Sequence, residues 1–111
     1  MTEIEQLNEH IAECKKHVDK FNKLQELHKN PLFKELITEG FCKDCIAEYM
    51  TVSVNGKVPE AARENARGIA TAGAYLNNWF IVVAQQAAMA NEDIRAAEDE
   101  IAKLNNDEVE Q

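Results

Sequence analysis

Apolar residues recur at steps of three and four along the N-terminal part of the chain, which is the heptad pattern of a helix that packs along one side. The positions that carry this pattern are Ile4, Leu7, Ile11, Cys14, Val18 and Phe21. Thr2, with Glu5 three residues later, is a capping-box sequence and predicts where the helix begins. Asn30 and Pro31 predict its end and the start of the next helix, with Asn30 as N-cap and Pro31 in the first turn.

A second heptad pattern occupies the C-terminal half and predicts a helix of about 46 residues that begins at Pro59 and Glu60. Its heptad positions are Ala66, Ile69, Gly73, Leu76, Phe80, Val83, Ala87, Ala90, Ile94, Ala97, Ile101 and Leu104. Within this helix, residues 79–84 are the most apolar block of the chain. Because their side chains point in every direction around the helix axis, we expect this block to be buried on all sides.

The two heptad patterns complement each other when the helices lie antiparallel with Ile4 opposite Leu104. In this register a large residue of one helix usually faces a small residue of the other, as Phe21 faces Ala87. The register also brings together three pairs of opposite charge, namely Glu5 with Lys103, Glu13 with Arg95 and Lys16 with Glu92. A parallel homodimer through the first helix is the alternative, but the positions that flank its heptads offer no charge pairs.

The segment between the two long helices predicts shorter helices. One covers residues 31–39 and ends before Gly40, a residue typical of helix C-termini. Its side chains expected to turn inward are Leu32, Phe33, Leu36 and Ile37. Another helix covers residues 43–50. Residues 51–54 alternate like a strand, but a lone short strand has no partner, so we expect a loop.

Together these elements predict an all-α fold, in which the N-terminal helix and the long C-terminal helix form an antiparallel two-helix coiled-coil stalk. A small helical head from residues 31–68 completes the fold. We expect residues 1–111 to form a single helical domain, with residues 1–29 and 76–106 in the stalk and residues 30–75 in the head.

Four apolar residues of this fold are candidate interaction residues: Tyr75, Trp79, Ile81 and Phe41. Tyr75 and Trp79 form a stripe with Val82 on the last helix, where we expect the short helices and Phe41 to pack. Ile81 lies on a third face of the helix that no predicted element covers. An uncovered apolar face is typical of a contact with another subunit.

The chain has 111 residues, enough for one domain, and a net charge of -8. This acidity disfavours binding to nucleic acid and to anionic membranes, so neither is expected as a partner. No run of residues approaches the ~20 apolar residues that cross a bilayer. The odd number of cysteines, three, does not suggest a disulfide framework.

Cys42-Lys43-Asp44-Cys45 is the one motif with a recognised chemistry. A redox site would need a thiol of lowered pKa, usually beside a βαβ unit, which the pattern does not predict. A zinc site would need about four ligands, and the plausible additions to Cys42 and Cys45 are His28 and Cys14, of which Cys14 belongs to the heptad pattern of the first helix. We interpret the two cysteines as small side chains at a helix junction, and we expect no metal and no cofactor.

No group of residues in the sequence forms a catalytic pattern. The chain lacks a phosphate-binding glycine loop and a Gly-x-Ser-x-Gly motif. His10 and His17 lie on the first helix without a histidine partner four residues away, and we interpret them as surface residues. We therefore expect no catalytic residues, no small-molecule substrate and no enzymatic activity.

The head contains the block Asn30-Pro31-Leu32-Phe33-Lys34, followed by Glu39-Gly40-Phe41 and then Lys43-Asp44. This block resembles the Asn-Pro-x-Phe-Lys…Glu-Gly-aromatic block of a group of small, acidic, largely uncharacterised α-helical proteins of tailed bacteriophages. Cys42 and Cys45 depart from that pattern, which has an aromatic residue and a glutamate there. The resemblance implies a protein of virion structure or assembly, and it carries no catalytic residues to this chain.

These observations predict a non-enzymatic bacteriophage structural or assembly protein that acts through helical packing and self-association. Its partners would be further copies of the chain or other phage structural proteins, in the host cytoplasm during assembly and in the virion. The alternative is an acidic adaptor or inhibitor that binds a host protein, which the charge and small size also favour.

Overall fold

The computed structural model describes residues 2–110, with side chains described as far as residue 107. All secondary structure in this part of the chain is helical, which confirms the all-α prediction. The elements are α1 (Glu3–His28), α2 (Pro31–Phe33), a π-helix (Lys34–Cys45), α3 (Ile46–Ser53) and α4 (Glu60–Glu110). The described residues contain no helix long and apolar enough to cross a membrane.

The predicted helix starts are confirmed by their capping hydrogen bonds. The backbone N–H of Glu5 donates to Oγ1 of Thr2 at 3.1 Å, so the capping residue lies just before α1. At α2, the backbone N–H groups of Leu32 and Phe33 donate to Oδ1 of Asn30 at 2.9 and 3.3 Å. Both caps satisfy N–H groups that have no partner within the first turn of a helix.

The chain divides into two compact units, and the first is the stalk. It combines α1 as far as Lys23 with α4 from Val82 onward, as the predicted antiparallel pairing requires. The predicted heptad positions of both helices in this unit are buried or half-buried. Val83, 1 % exposed, is the largest fully buried side chain among the described residues.

The predicted charge pairs between the two stalk helices are wrong. Lys16 Nζ lies 2.8 Å from Oε1 of Glu13, one turn away on the same helix, and does not form an ion pair with Glu92. The predicted ion pairs of Glu5 with Lys103 and of Glu13 with Arg95 are also not formed among residues 2–107. Side chains three residues apart on a helix are already neighbours, so Lys16 reaches Glu13 with little loss of freedom. Both side chains remain largely in water, and the pair adds little stability.

The second unit, residues 24–81, is the head. The predicted boundaries between stalk and head, at residues 29/30 and 75/76, lie at 23/24 and 81/82, six residues away in each helix. Within this unit the rings of His28 and Phe80 lie 4.7 Å apart, and each also lies near the ring of Phe33. This aromatic cluster places the adjoining turns of α1 and α4 in the head.

The helical backbone of the head differs from the prediction between residues 31 and 53. It does not end at Gly40, but continues from α2 through the π-helix into α3. Leu32 and Leu36, predicted to turn inward, are exposed, whereas Phe33 and Ile37 are half-buried. A π-helix bonds each N–H to the carbonyl five residues earlier, so its side chains leave the faces that a 3.6-residue period assigns.

The sequence predicts a loop at residues 51–54, but residues 51–53 form the last turn of α3. The hydroxyl of Thr51 donates to the carbonyl of Ala47 at 3.0 Å. The hydroxyl of Ser53 donates to the carbonyl of Met50 at 2.7 Å. Such bonds from a side chain to the preceding turn allow hydroxyl residues to lie within a helix.

Gly40 allows the π-helix to form at its centre. A Cβ atom at this residue would lie 2.7 Å from the backbone oxygen of Glu35, which is five residues earlier. Lys34 and Glu39, also five residues apart, lie side by side with Nζ and Oε1 at 3.9 Å. Glycine therefore permits a backbone spacing that any larger residue would push apart.

We expect Gly40→Ala to lower the free energy of unfolding by about 1–3 kcal/mol, because the new methyl group collides with the Glu35 carbonyl. The measurement is a urea titration followed by circular dichroism. Gly56→Ala is the matched control, since a Cβ there has no atom within 4 Å and its φ is not positive. Equal stability of the two variants would mean that the Glu35 carbonyl moves aside at no cost.

Candidate functional site

The apolar block at residues 79–84 is buried on one side and exposed on the other. Val83 is fully buried, and Phe80 and Val82 are half-buried. Trp79 and Ile81 remain 47 % and 49 % exposed. The prediction of burial on all sides is wrong, because the other elements cover only one side of α4 at these residues.

Tyr75 and Trp79 lie one turn apart on α4 and form an exposed aromatic face, called here the Tyr75–Trp79 face. Tyr75 is 72 % exposed, so the prediction that the short helices cover this stripe is wrong. The short helices meet α4 at Gly73 instead, where the backbone of Phe41 and the side chain of Ile46 approach. Phe41 itself is half-buried.

Ile81 lies on a different face of α4 from Tyr75 and Trp79, as its position six residues after Tyr75 requires. It is exposed, as is Ala74 on the same face, which confirms the prediction that no part of the described chain covers this face. The two exposed faces of α4 are thus separate surfaces.

The part of α4 that carries these residues has an unusual lack of charge. Residues 68–91 form 24 consecutive positions without Asp, Glu, Lys, Arg or His, although 29 % of the chain is charged. Depletion of charge together with exposed aromatic residues is the composition of the central part of protein–protein interfaces. This part of α4 therefore has the composition of a contact surface.

The cysteine motif does not form a site with His28. Cys42 is buried and Cys45 half-buried, and both thiols are free. Burial raises the pKa of the Cys42 thiol, whereas a redox cysteine needs a lowered pKa. Among the described residues, the group of side chains close enough to share a metal ion does not include Cys42, Cys45 or His28.

His28 has a structural role in the head. Its Nδ1 lies 2.7 Å from the carbonyl oxygen of Leu24, to which the N–H donates. The ring packs edge-to-face on Phe80, with centroids 4.7 Å apart, and on Phe33, with centroids 5.2 Å apart. Edge-to-face packing is a favoured arrangement of aromatic rings.

The stalk brings together three side chains of a different cluster, His10, Cys14 and Asp93. His10 and Cys14 lie one turn apart on α1, and Asp93 extends from α4. One potential ligand atom from each side chain lies within 4.8 Å of the other two. Cys14 is buried while His10 and Asp93 are exposed, so the cluster is open to solvent on one side.

A cleft of about 260 Å³ surrounds this cluster and is also lined by His17 and Glu13. Burial raises the pKa of the Cys14 thiol, and the negative charges of Asp93 and Glu13 raise it further. The cleft thus combines imidazole, thiol and carboxylate groups in a place where a negative thiolate is unfavourable without a nearby cation.

Two features of the sequence indicate this cluster, but they were not recognised because the histidines and Cys14 were interpreted separately. The spacing of His10, Cys14 and His17 places all three on one side of a helix. The antiparallel register that places Ile4 opposite Leu104 also places Cys14 beside Asp93.

A scan of protein-family models, a search of curated proteins and a search of solved structures found no match for this chain.

Proposed function

We propose that this chain is a non-enzymatic structural or assembly protein of a bacteriophage that acts through helical packing and self-association. The observation that carries the proposal is the Tyr75–Trp79 face, two exposed aromatic residues within 24 uncharged positions of α4. The phage origin is supported by the resemblance of the block that begins at Asn30 and Pro31.

The physical reason for association is the apolar area of the Tyr75–Trp79 face. Aromatic side chains bury about 150–250 Å² each when they are covered. At roughly 25 cal/mol per Å², covering the exposed part of Tyr75 or Trp79 contributes on the order of 2 kcal/mol. A net charge of -8 opposes the approach of two copies, and the contact therefore has to use an uncharged surface.

The sign of the salt dependence follows from this charge. Added salt screens the repulsion between two acidic copies and strengthens the apolar contact. Self-association through the Tyr75–Trp79 face is therefore expected to tighten as the salt concentration rises. Binding of the acidic surface to a basic partner would weaken instead.

We expect Trp79→Glu to weaken self-association by at least about 30-fold, since a covered aromatic residue at the centre of an interface is worth about 2 kcal/mol or more. Sedimentation velocity at a series of concentrations and salt levels measures the effect. Ala102→Glu is the matched control, because it adds the same charge at an exposed position of α4. A wild-type chain that stays monomeric at tens of micromolar would overturn the proposal.

The second candidate function is an acidic adaptor or inhibitor of a basic host protein, which the net charge of -8 favours. Capture from host lysate would then retrieve a basic host protein that high salt releases. Retrieval of phage structural proteins alone, retained at high salt, would exclude this alternative and agree with the first proposal.

A further inference from the structure

The distance between Cys14 and His10 matches the spacing of two ligands on one metal ion. Sγ of Cys14 lies 3.7 Å from Nε2 of His10. Two ligands of a tetrahedral zinc ion, with Zn–S of about 2.3 Å and Zn–N of about 2.0–2.1 Å, lie roughly 3.6 Å apart. The separation of these two atoms is therefore close to that of two ligands on the same ion.

Asp93 adds a ligand from a second helix. Its carboxylate lies within 4.8 Å of both the sulfur and the imidazole nitrogen, and the side chain is exposed and able to turn. A hydrogen bond between the Cys14 thiol and His10 would account for the 3.7 Å distance alone. It would not account for a carboxylate that faces the same point from α4.

The local charge also favours a cation at this point. Cys14 is buried, and the cleft around it is lined by the carboxylates of Asp93 and Glu13, of which Glu13 is paired with Lys16. A divalent ion would satisfy the carboxylate and the thiolate together, and Cys14 would release its proton to solvent on binding.

We propose that His10, Cys14 and Asp93 form a site for a divalent transition-metal ion of the zinc class, with solvent in the remaining coordination position. An imidazole and a thiolate select zinc and its neighbours over magnesium and calcium, which prefer oxygen ligands. The exposed side of the cluster gives the ion access and leaves room for a water molecule. Because the ligands come from α1 and α4, the ion links the two helices of the stalk. This proposal does not depend on self-association through the Tyr75–Trp79 face.

The test is a titration of the reduced full-length protein with Zn²⁺ after treatment with a chelator, and in parallel with Co²⁺. We expect one equivalent to bind with micromolar or tighter affinity, and a thiolate-to-cobalt charge-transfer band to appear. His10→Ala and Cys14→Ala are expected to weaken binding at least about 100-fold, and Asp93→Asn at least about tenfold. Saturating Zn²⁺ is expected to raise the Tm by about 10 °C at a hundredfold excess over Kd.

Cys45→Ala and Asp99→Asn are the matched controls, since each removes the same ligand type outside the cluster and should bind Zn²⁺ like the wild type. Circular dichroism is used to check that the His10 and Asp93 variants keep their helices, as expected for substitutions at exposed positions. Binding weaker than millimolar, or binding that survives in His10→Ala and Asp93→Asn, would overturn the proposal. Binding lost in Cys45→Ala would overturn it too, because the ion would then lie at the cysteine motif of the head.

Discussion

Replacing Gly73 by alanine is expected to lower the free energy of unfolding by about 1–3 kcal/mol, although alanine is the better helix former. A Cβ atom at this residue would lie 2.9 Å from the backbone oxygen of Phe41 and 3.0 Å from Cγ1 of Ile46. The backbone oxygen belongs to the π-helix and cannot turn away like a side chain. Gly73 therefore allows the π-helix and α3 to approach α4 within the head.

Gly68→Ala is the matched control in the same helix and is expected to change stability in the opposite direction. A Cβ at Gly68 has no atom within 4 Å, so alanine should raise the free energy of unfolding by up to about 1 kcal/mol through helix propensity alone. Urea titrations followed by the fluorescence of the single tryptophan, Trp79, measure both variants. A stabilising effect of both substitutions would mean that the contact at Gly73 is looser than its distances indicate.

Removing the ring of Phe80 is expected to lower the free energy of unfolding by about 3 kcal/mol. The ring is half-buried and contacts His28 at 4.7 Å and Phe33 at 6.2 Å between centroids. Phe80→Ala leaves a cavity between these rings, and each lost aromatic pair adds about 0.5–1.5 kcal/mol beyond the area term. Urea unfolding at low protein concentration, followed by circular dichroism, gives the value.

Tyr75→Ala provides the comparison for Phe80→Ala, because it removes an aromatic ring from the same helix at an exposed position. We expect its stability to stay within about 0.5 kcal/mol of the wild type. A loss for Tyr75→Ala as large as that for Phe80→Ala would indicate that the Tyr75–Trp79 face is covered in the folded monomer.

Local signals in the sequence predicted the two long helices well. The start of α1 depends on Thr2 and that of α2 on Asn30, and both caps act through atoms two or three residues away. The heptad positions of α4 also predicted which side would be buried, from Ala66 to Leu104. Such features depend on the helical period, which is the same wherever an α-helix forms.

The period is also the reason that the prediction of the head was wrong. The 3.6-residue repeat assigns Leu36 to the inward face, and the π-helix moves it to the surface. Leu32, assigned to the same face, is exposed in α2, before the π-helix begins. The pattern of apolar residues does not indicate where backbone hydrogen bonds change from a spacing of four residues to a spacing of five. Gly40 permits that change here, because the Glu35 carbonyl occupies the space that a Cβ would fill.

For the candidate sites, too, the sequence identified some features and the packing decided others. The sequence alone identified Tyr75, Trp79 and Ile81 as apolar residues outside the heptad positions, but only the packing of the head at Gly73 decided that the Tyr75–Trp79 face stays exposed. The sequence also indicated Cys42 and Cys45, whose thiols do not belong to the group of potential metal ligands found among the described residues.

By itself, the sequence determined the helical class of the protein and the ends and buried sides of its long helices, because each depends on neighbours within a turn or on a repeated period. Tertiary structure alone decided the width of the helix at Lys34–Cys45, the boundary between stalk and head, and the meeting of Asp93 with His10 and Cys14. The last two features depend on distances between residues far apart in the chain, where a shift of one turn, about 5.4 Å, separates a shared site from unrelated side chains. The wider helix depends on the close approach of Gly40 to the Glu35 carbonyl, which the 3.6-residue period does not predict.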